Sequence, residues 1–135
     1  MGRILGIDYG VRRTGIATTD PQQIIATALA TVDTDKVYDF LSKYIKEEEV
    51  EKIVFGQIHK KDGSLGDLEP KILEFIAKLQ KDFPHLVFDR HDESYTSQRA
   101  QQILLQTTKK KQRQDKSLLD KLSALLILQE YLGFI

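Results

Sequence analysis

The acids of this chain fall where they could do metal chemistry. Asp8 closes the apolar run from Arg3 and is followed by Tyr9 and Gly10. An acid after the apolar alternation of a central first strand must sit at the strand's mouth, because a lone buried carboxylate is costly. The other reading is that Asp8 caps the Tyr9 to Arg13 turn through an Asx bond. Asp92 and Glu93 end a later β-like run just before a helix, at the carboxyl edge where an α/β sheet presents its functional groups. Successive strand residues face opposite ways, so only one of this pair can point at the site of Asp8; a solvated acidic turn or a helix cap is the alternative. Asp120 interrupts the apolar run Leu118, Leu119, Leu122, Leu125, Leu126 and Leu128, with Lys116, Ser117, Ser123 and Ala124 as its helical neighbours. Small residues around one acid let it approach another element closely, although an acid three residues after the cap candidate Ser117 also complements the helix dipole.

Three acids converging on one sheet edge would repel one another unless divalent cations bridge them. Oxygen ligands without His or Cys select hard ions, which implies Mg²⁺ or Mn²⁺. Two such ions about 3.5 to 4 Å apart would clamp the attacking water and the leaving oxygen of an in-line phosphoryl displacement. The three histidines, His59, His85 and His91, share no metal-ligand spacing. His85 follows Pro84 in a turn and is expected at the surface; His91, beside Asp92, either orients a ligand or water or is an ordinary strand residue.

The elements that must position these acids are legible in the periodicity. Arg3 to Asp8 and Thr14 to Thr18 flank a Gly-containing charged turn and read as a hairpin, and Ile24 to Val32 adds a third antiparallel strand after the Asp20-Pro21 turn. Val37, Phe40, Leu41, Tyr44 and Ile45 then place one apolar stripe on a helix from about Asp35 to Glu49. Lys52 to Ile58 is a strand whose continuous Ile53, Val54 and Phe55 suggest burial on both faces. A polar segment with an Asp62-Gly63 turn leads to a helix with Pro70 in its first turn and Ile72, Phe75, Ile76, Leu79 and Phe83 on its apolar face. Leu86 to Phe88 opens a fifth strand running into Asp89 to Glu93, and Ser94 or Thr96 can cap a helix carrying Ala100, Ile103 and Leu104. Lys109 to Lys116 holds five basic residues and one acid, a loop or frayed helix end; Ser117 to Leu132 is a final helix, apolar nearly all round and so covered on several sides. This order predicts a mixed five-stranded α/β sheet with helices on both faces, in one domain spanning residues 1–135.

At 135 residues the chain can bury one core but not two. Twenty basic against twenty acidic residues leave no net positive field, so any nucleic-acid binding must come from local patches. Arg12 and Arg13 near Asp8, and Lys109, Lys110, Lys111 and Arg113, are the candidates for phosphate contact. The absence of cysteine excludes a disulfide framework and thiolate metal sites. With no signal-peptide core, no myristoylation pattern and no apolar stretch near the roughly 18 to 20 residues of a membrane span, the cytoplasm is the expected setting.

Gly6-Ile7-Asp8-Tyr9-Gly10, with Arg13-Thr14-Gly15-Ile16-Ala17 behind it, resembles the opening motif of the YqgF family, also called RuvX. Asp92-Glu93-Ser94-Tyr95-Thr96-Ser97 is similar to that family's Asp-Glu-Arg element, and Leu119-Asp120-Lys121-Leu122-Ser123-Ala124 with Ile127-Leu128-Gln129 to its last helix, so the resemblance covers the whole chain. It implies a ribonuclease H-like fold and a nuclease linked to maturation of the 5′ end of pre-16S ribosomal RNA, with Holliday junction resolution as the older proposed activity. It also implies Asp8, Glu93 or its neighbour Asp92, and Asp120 as catalytic carboxylates, with Asp8, Glu93 and Asp120 the metal ligands. The partner would be structured RNA, branched DNA or the ribosome. Two departures stand out: the family's Gly-Leu-Pro reads Gly56-Gln57-Ile58, and its Arg after Asp-Glu is Ser94, which cannot neutralise phosphate in a bidentate way. These departures favour a competing reading as a non-catalytic RNA- or ribosome-binding module. Asp-x-Gly followed by Thr-Gly also resembles the phosphate loop of actin-like ATPases and sugar kinases, but those bind nucleotide between two such domains and this chain holds one.

Overall fold

The computed structural model describes residues 2–59, 62–92 and 116–135. Its centre is a five-stranded sheet of order β3-β2-β1-β4-β5, built from β1 (Arg3–Asp8), β2 (Arg13–Thr19), β3 (Ala26–Asp33), β4 (Val50–Gln57) and β5 (Val87–Asp92). The first three strands pair antiparallel, whereas β1, β4 and β5 run parallel. The expected mixed sheet is therefore present. Three described helices accompany it: α1 (Val37–Glu47), entered through a 3₁₀ turn at Thr34–Lys36, α2 (Glu69–Asp82) and α3 (Lys116–Tyr131).

Alternation along β1 explains the layering. Leu5 and Ile7 join Ile16, Ile53 and Phe55 in one core covered by Val37, Leu41 and Ile45 of α1 and Ile72 and Leu79 of α2. Ile4 points the other way, with Ala17 and Val54, onto Ala124, Ile127 and Leu128 of α3. The helices thus lie on both faces, and the central strand is buried between them. A Cβ added at Gly6 would lie 2.9 Å from the Ala124 carbonyl oxygen and from the Leu128 Cβ, so α3 rides close against the strand.

Several boundaries differ from the sequence reading by one or two residues, the fourth strand for example running Val50–Gln57 and not Lys52 to Ile58, and two of the shifts have a visible cause. The third strand starts at Ala26 and not Ile24, because the Asp20 carboxylate accepts the backbone N–H groups of both Ile24 and Ile25 at 2.7 Å. Those donors are consumed by the turn and cannot join the ladder. The first helix starts at Val37, since the preceding turn is 3₁₀. The expected helix after Ser94 and most of the basic run from Lys109 lie outside the described residues.

Candidate active site

Asp8, the last residue of β1, pairs in register with Gly15 of β2. It shares a parity with Ile4 and Gly6, whose sites face α3, so Asp8 belongs to the α3 face of the sheet. The turn after it is fixed from one residue. The Thr34 hydroxyl donates to the Gly10 carbonyl at 2.7 Å, the Thr34 N–H donates to the Arg12 carbonyl at 2.9 Å, and the Thr14 hydroxyl lies 2.9 Å from Thr34 Oγ1. With the Thr34 hydrogen already spent on Gly10, Thr14 is the donor of that last bond. A Cβ at Gly10 would meet the Arg13 carbonyl oxygen at 2.3 Å, so the turn closes tightly beside Asp8.

Asp120 arrives at this corner from α3. A Cβ on Gly15 would stand 2.0 Å from the Asp120 carbonyl oxygen, which means that the helix backbone rests directly on the register partner of Asp8. Arg13, at the start of β2, donates from Nε to Asp120 Oδ2 at 2.9 Å. The pair is partly buried, with 38% and 24% of the side chains exposed. Arg13 is therefore an internal partner of an acid, whereas Arg12 is exposed. The stripe of small residues around Asp120 is what permits the approach: Ser123 and Ala124 are buried against the sheet.

Asp92 goes elsewhere. It ends β5 in register with Gln57, on the parity of Phe88 and Arg90, and its Oδ1 lies 3.6 Å from His59 Nδ1. That parity faces α2, opposite Asp8. Glu93, Lys109, Lys110, Lys111 and Arg113 lie outside the described residues. His85 is exposed, as expected of its turn, and His91 Nε2 lies 3.1 Å from Glu130 Oε2 on α3. His91 is thus engaged with the last helix.

An ion-pair cluster on the α2 face of the sheet was not anticipated. Arg90 donates from Nη1 and Nη2 to the two carboxylate oxygens of Glu69 at 2.5 and 2.6 Å, and from Nη2 to the Gly56 carbonyl at 3.0 Å. Gln57 Nε2 adds a longer contact to Glu69 at 3.4 Å. The Arg90 guanidinium outweighs burial and holds the Glu69 carboxyl below its ordinary value of 4.5. The available signal was an Arg at every-second-residue spacing from Phe88, which puts a charge on a buried face and demands a partner. A second chain runs from the Lys52 ammonium to the Tyr131 hydroxyl at 3.0 Å and from that hydroxyl to Asp89 Oδ2 at 2.5 Å. Hydrogen bonding to Tyr131 is the main cause that lowers Asp89 and raises Lys52.

Among the described residues no group of three or more His, Asp or Glu side chains is close enough to hold a metal ion. Asp8 and Asp120 supply hard oxygen donors at one corner, and Asp120 already attracts a cationic group in Arg13. That donor chemistry fits a hard divalent cation and not a soft one.

A family model described as RuvX, Holliday junction resolvase, matches residues 2–133. A protein of Flavobacterium psychrophilum is 43% identical over 133 residues, covering 98% of this chain and 97% of its own. One from Phocaeicola vulgatus is 44% identical over 133 residues, covering 98% and 96%. Both carry the provisional name pre-16S rRNA nuclease. Among solved structures, the fowlpox virus resolvase in complex with substrate Holliday junction DNA matches with a TM-score of 0.61 at 12% identity, covering 98% of this chain and 97% of that one. RuvC of Thermus thermophilus in complex with a Holliday junction substrate gives 0.56 at 14% identity, covering 97% and 96%. At such identities the likeness is one of fold, and it is the ribonuclease H-like fold expected from the sequence.

Proposed function

The chain belongs to the RuvX family, and from that membership we propose that it is a divalent-metal-dependent nuclease, with the 5′ region of pre-16S ribosomal RNA as its substrate. A single domain of residues 1–135 acts in the cytoplasm, where such a precursor is made. No described helix is long and apolar enough to cross a membrane. The observation that carries the reading is the meeting of Asp120 with the second strand beside Asp8: the helix backbone rests on Gly15, the register partner of Asp8, and Arg13 holds the Asp120 carboxylate in place.

Asp8 and Asp120 are the proposed ligands from the described residues, and Glu93 is the third. Asp92 takes the parity of the α2 face, and its neighbour Glu93 is therefore the member of the pair proposed here as ligand. Mg²⁺ or Mn²⁺ bound there would activate water and stabilise the charge of an in-line displacement. The chain's own residues orient the acids. Thr34 and Thr14 fix the turn after Asp8, and Arg13 neutralises and aims Asp120 until cation and substrate arrive. Arg12, with Lys109, Lys110, Lys111 and Arg113, is proposed to contact phosphates.

The test is cleavage of pre-16S RNA and of a four-way DNA junction, side by side, in Mg²⁺, Ca²⁺ and EDTA. RNA cut in Mg²⁺, weakly in Ca²⁺ and not in EDTA is the expected result, because the looser calcium shell does not hold the in-line geometry. Asp8→Asn and Asp120→Asn should each lose roughly 10²-fold or more in rate while staying folded. Preferential cutting of the junction would favour the DNA activity in the family's description. Binding without cutting by any metal would leave a non-catalytic RNA-binding module.

A further inference from the structure

Tyr9, the residue after Asp8, is the common wall of three adjoining depressions on the α2 side of the molecule. The largest is a groove of about 650 Å³ between Tyr9 and α2, bordered by Lys71, Lys78 and Lys81 with Phe75 beside the Tyr9 ring. The two rings lie 5.3 Å apart and tilted, so Phe75 props the tyrosine upright in the groove. The three lysines recur at seven and three residues along one side of the helix and span roughly 15 Å. All three are exposed. The Lys78 ammonium sits 3.9 Å from the centre of the Tyr38 ring, which keeps it at the protein surface. Glu74 is the one acid among the groove's described lining residues, and Lys71 continues into the next depression, where Val11 is 76% exposed beside Gly10.

An aromatic ring with exposed apolar surface next to it, flanked by a row of cations at the end of β1 and on the sheet face opposite Asp8, has the chemistry of a single-strand platform. Bases stack on such rings when unpaired, and ammonium groups follow the backbone. We propose that the Tyr9–α2 groove receives single-stranded nucleic acid flanking the scissile phosphate, with bases against Tyr9 and Val11 and phosphates against Lys71, Lys78 and Lys81. The proposal rests on the nuclease reading. A duplex would keep its bases stacked and could not use the ring.

The test is binding of a fluorescein-labelled ten-nucleotide oligouridylate, and of a duplex of equal length, to the Asp8→Asn protein in EDTA across a salt series. On this background Lys71→Gln with Lys81→Gln should weaken single-strand binding and reduce the magnitude of the log-log salt slope by roughly 1.4, two lost contacts at about 0.7 each. Tyr9→Leu should weaken binding with the slope unchanged, while Tyr9→Phe should keep most of it. Thermal melts establish that each variant is folded, and the exposed lysine pair is safe on that count. No binding, an unchanged affinity and slope in the lysine pair, or a duplex bound as tightly as the single strand would overturn the groove. Loss of the nuclease reading shows separately, in the cleavage assay of the wild-type protein.

Discussion

Gly15 matters at this site because it has no side chain. A methyl group there would lie 2.0 Å from the carbonyl oxygen and 2.5 Å from the carbonyl carbon of Asp120, and helix backbone cannot swing aside as a long side chain can. Gly15→Ala must therefore push α3 off the sheet. An overpacking cost of roughly 1 to 3 kcal/mol is expected, read as a lower urea midpoint, together with loss of cleavage because Asp120 moves with the helix. A variant of wild-type stability and rate would show that α3 is not seated on β2. Arg13→Gln separates orientation from folding. The ion pair is partly exposed, and such pairs contribute only about 0 to 1 kcal/mol, so the urea midpoint should hardly move. Cleavage should fall by roughly tenfold as Asp120 loses the group that aims it. Equal rates in the two proteins would reduce Arg13 to a bystander.

At the scale of elements, β4, β5 and α2 are tied together by Arg90, which reaches the Gly56 carbonyl and both oxygens of Glu69, itself only 6% exposed. Breaking a buried pair leaves one charge without compensation, so Glu69→Gln should cost about 3 to 5 kcal/mol at neutral pH. The sign of the pH dependence follows from the lowered Glu69 value. Its contribution is complete above the ordinary 4.5 and disappears as pH falls through the depressed folded value. Urea midpoints taken downward from pH 6 should fall more steeply for the wild type than for Glu69→Gln. Parallel curves would mean that other carboxylates dominate the acid limb. This clamp also shows where the sequence stops being informative. The apolar stripe of α1, the hairpin and the parity of β1 are local patterns, and the chain follows them. Arg13 and Asp120 are 107 residues apart and Glu69 and Arg90 are 21 apart, and no period joins such positions. Asp8 could be singled out because it terminates an apolar run. The role of Gly15, between two β-branched residues in a strand, depends on which helix lands on it.

At the scale of the whole molecule, the first strand and the last described helix meet at the proposed metal corner. An ion shared by Asp8 and Asp120 would therefore tie together the two ends of the described chain. Such binding to the native state alone stabilises by RT ln(1 + [L]/Kd), about 2.7 kcal/mol at a hundredfold excess over Kd. For a chain of this length that corresponds to a rise of several degrees in Tm. Melting the wild-type protein with Mn²⁺ should show this rise in the absence of any substrate, and EDTA should reverse it. Asp8→Asn removes one charge from the corner, so its metal-free form should melt at or slightly above the wild-type temperature, with a much smaller response to Mn²⁺. The balance of twenty basic and twenty acidic residues makes a general counter-ion effect small, so the shift reports the corner and not the molecule's net charge. If Mn²⁺ raises the Tm of Asp8→Asn as much as that of the wild type, the ion binds elsewhere and the carboxylate corner is not its site.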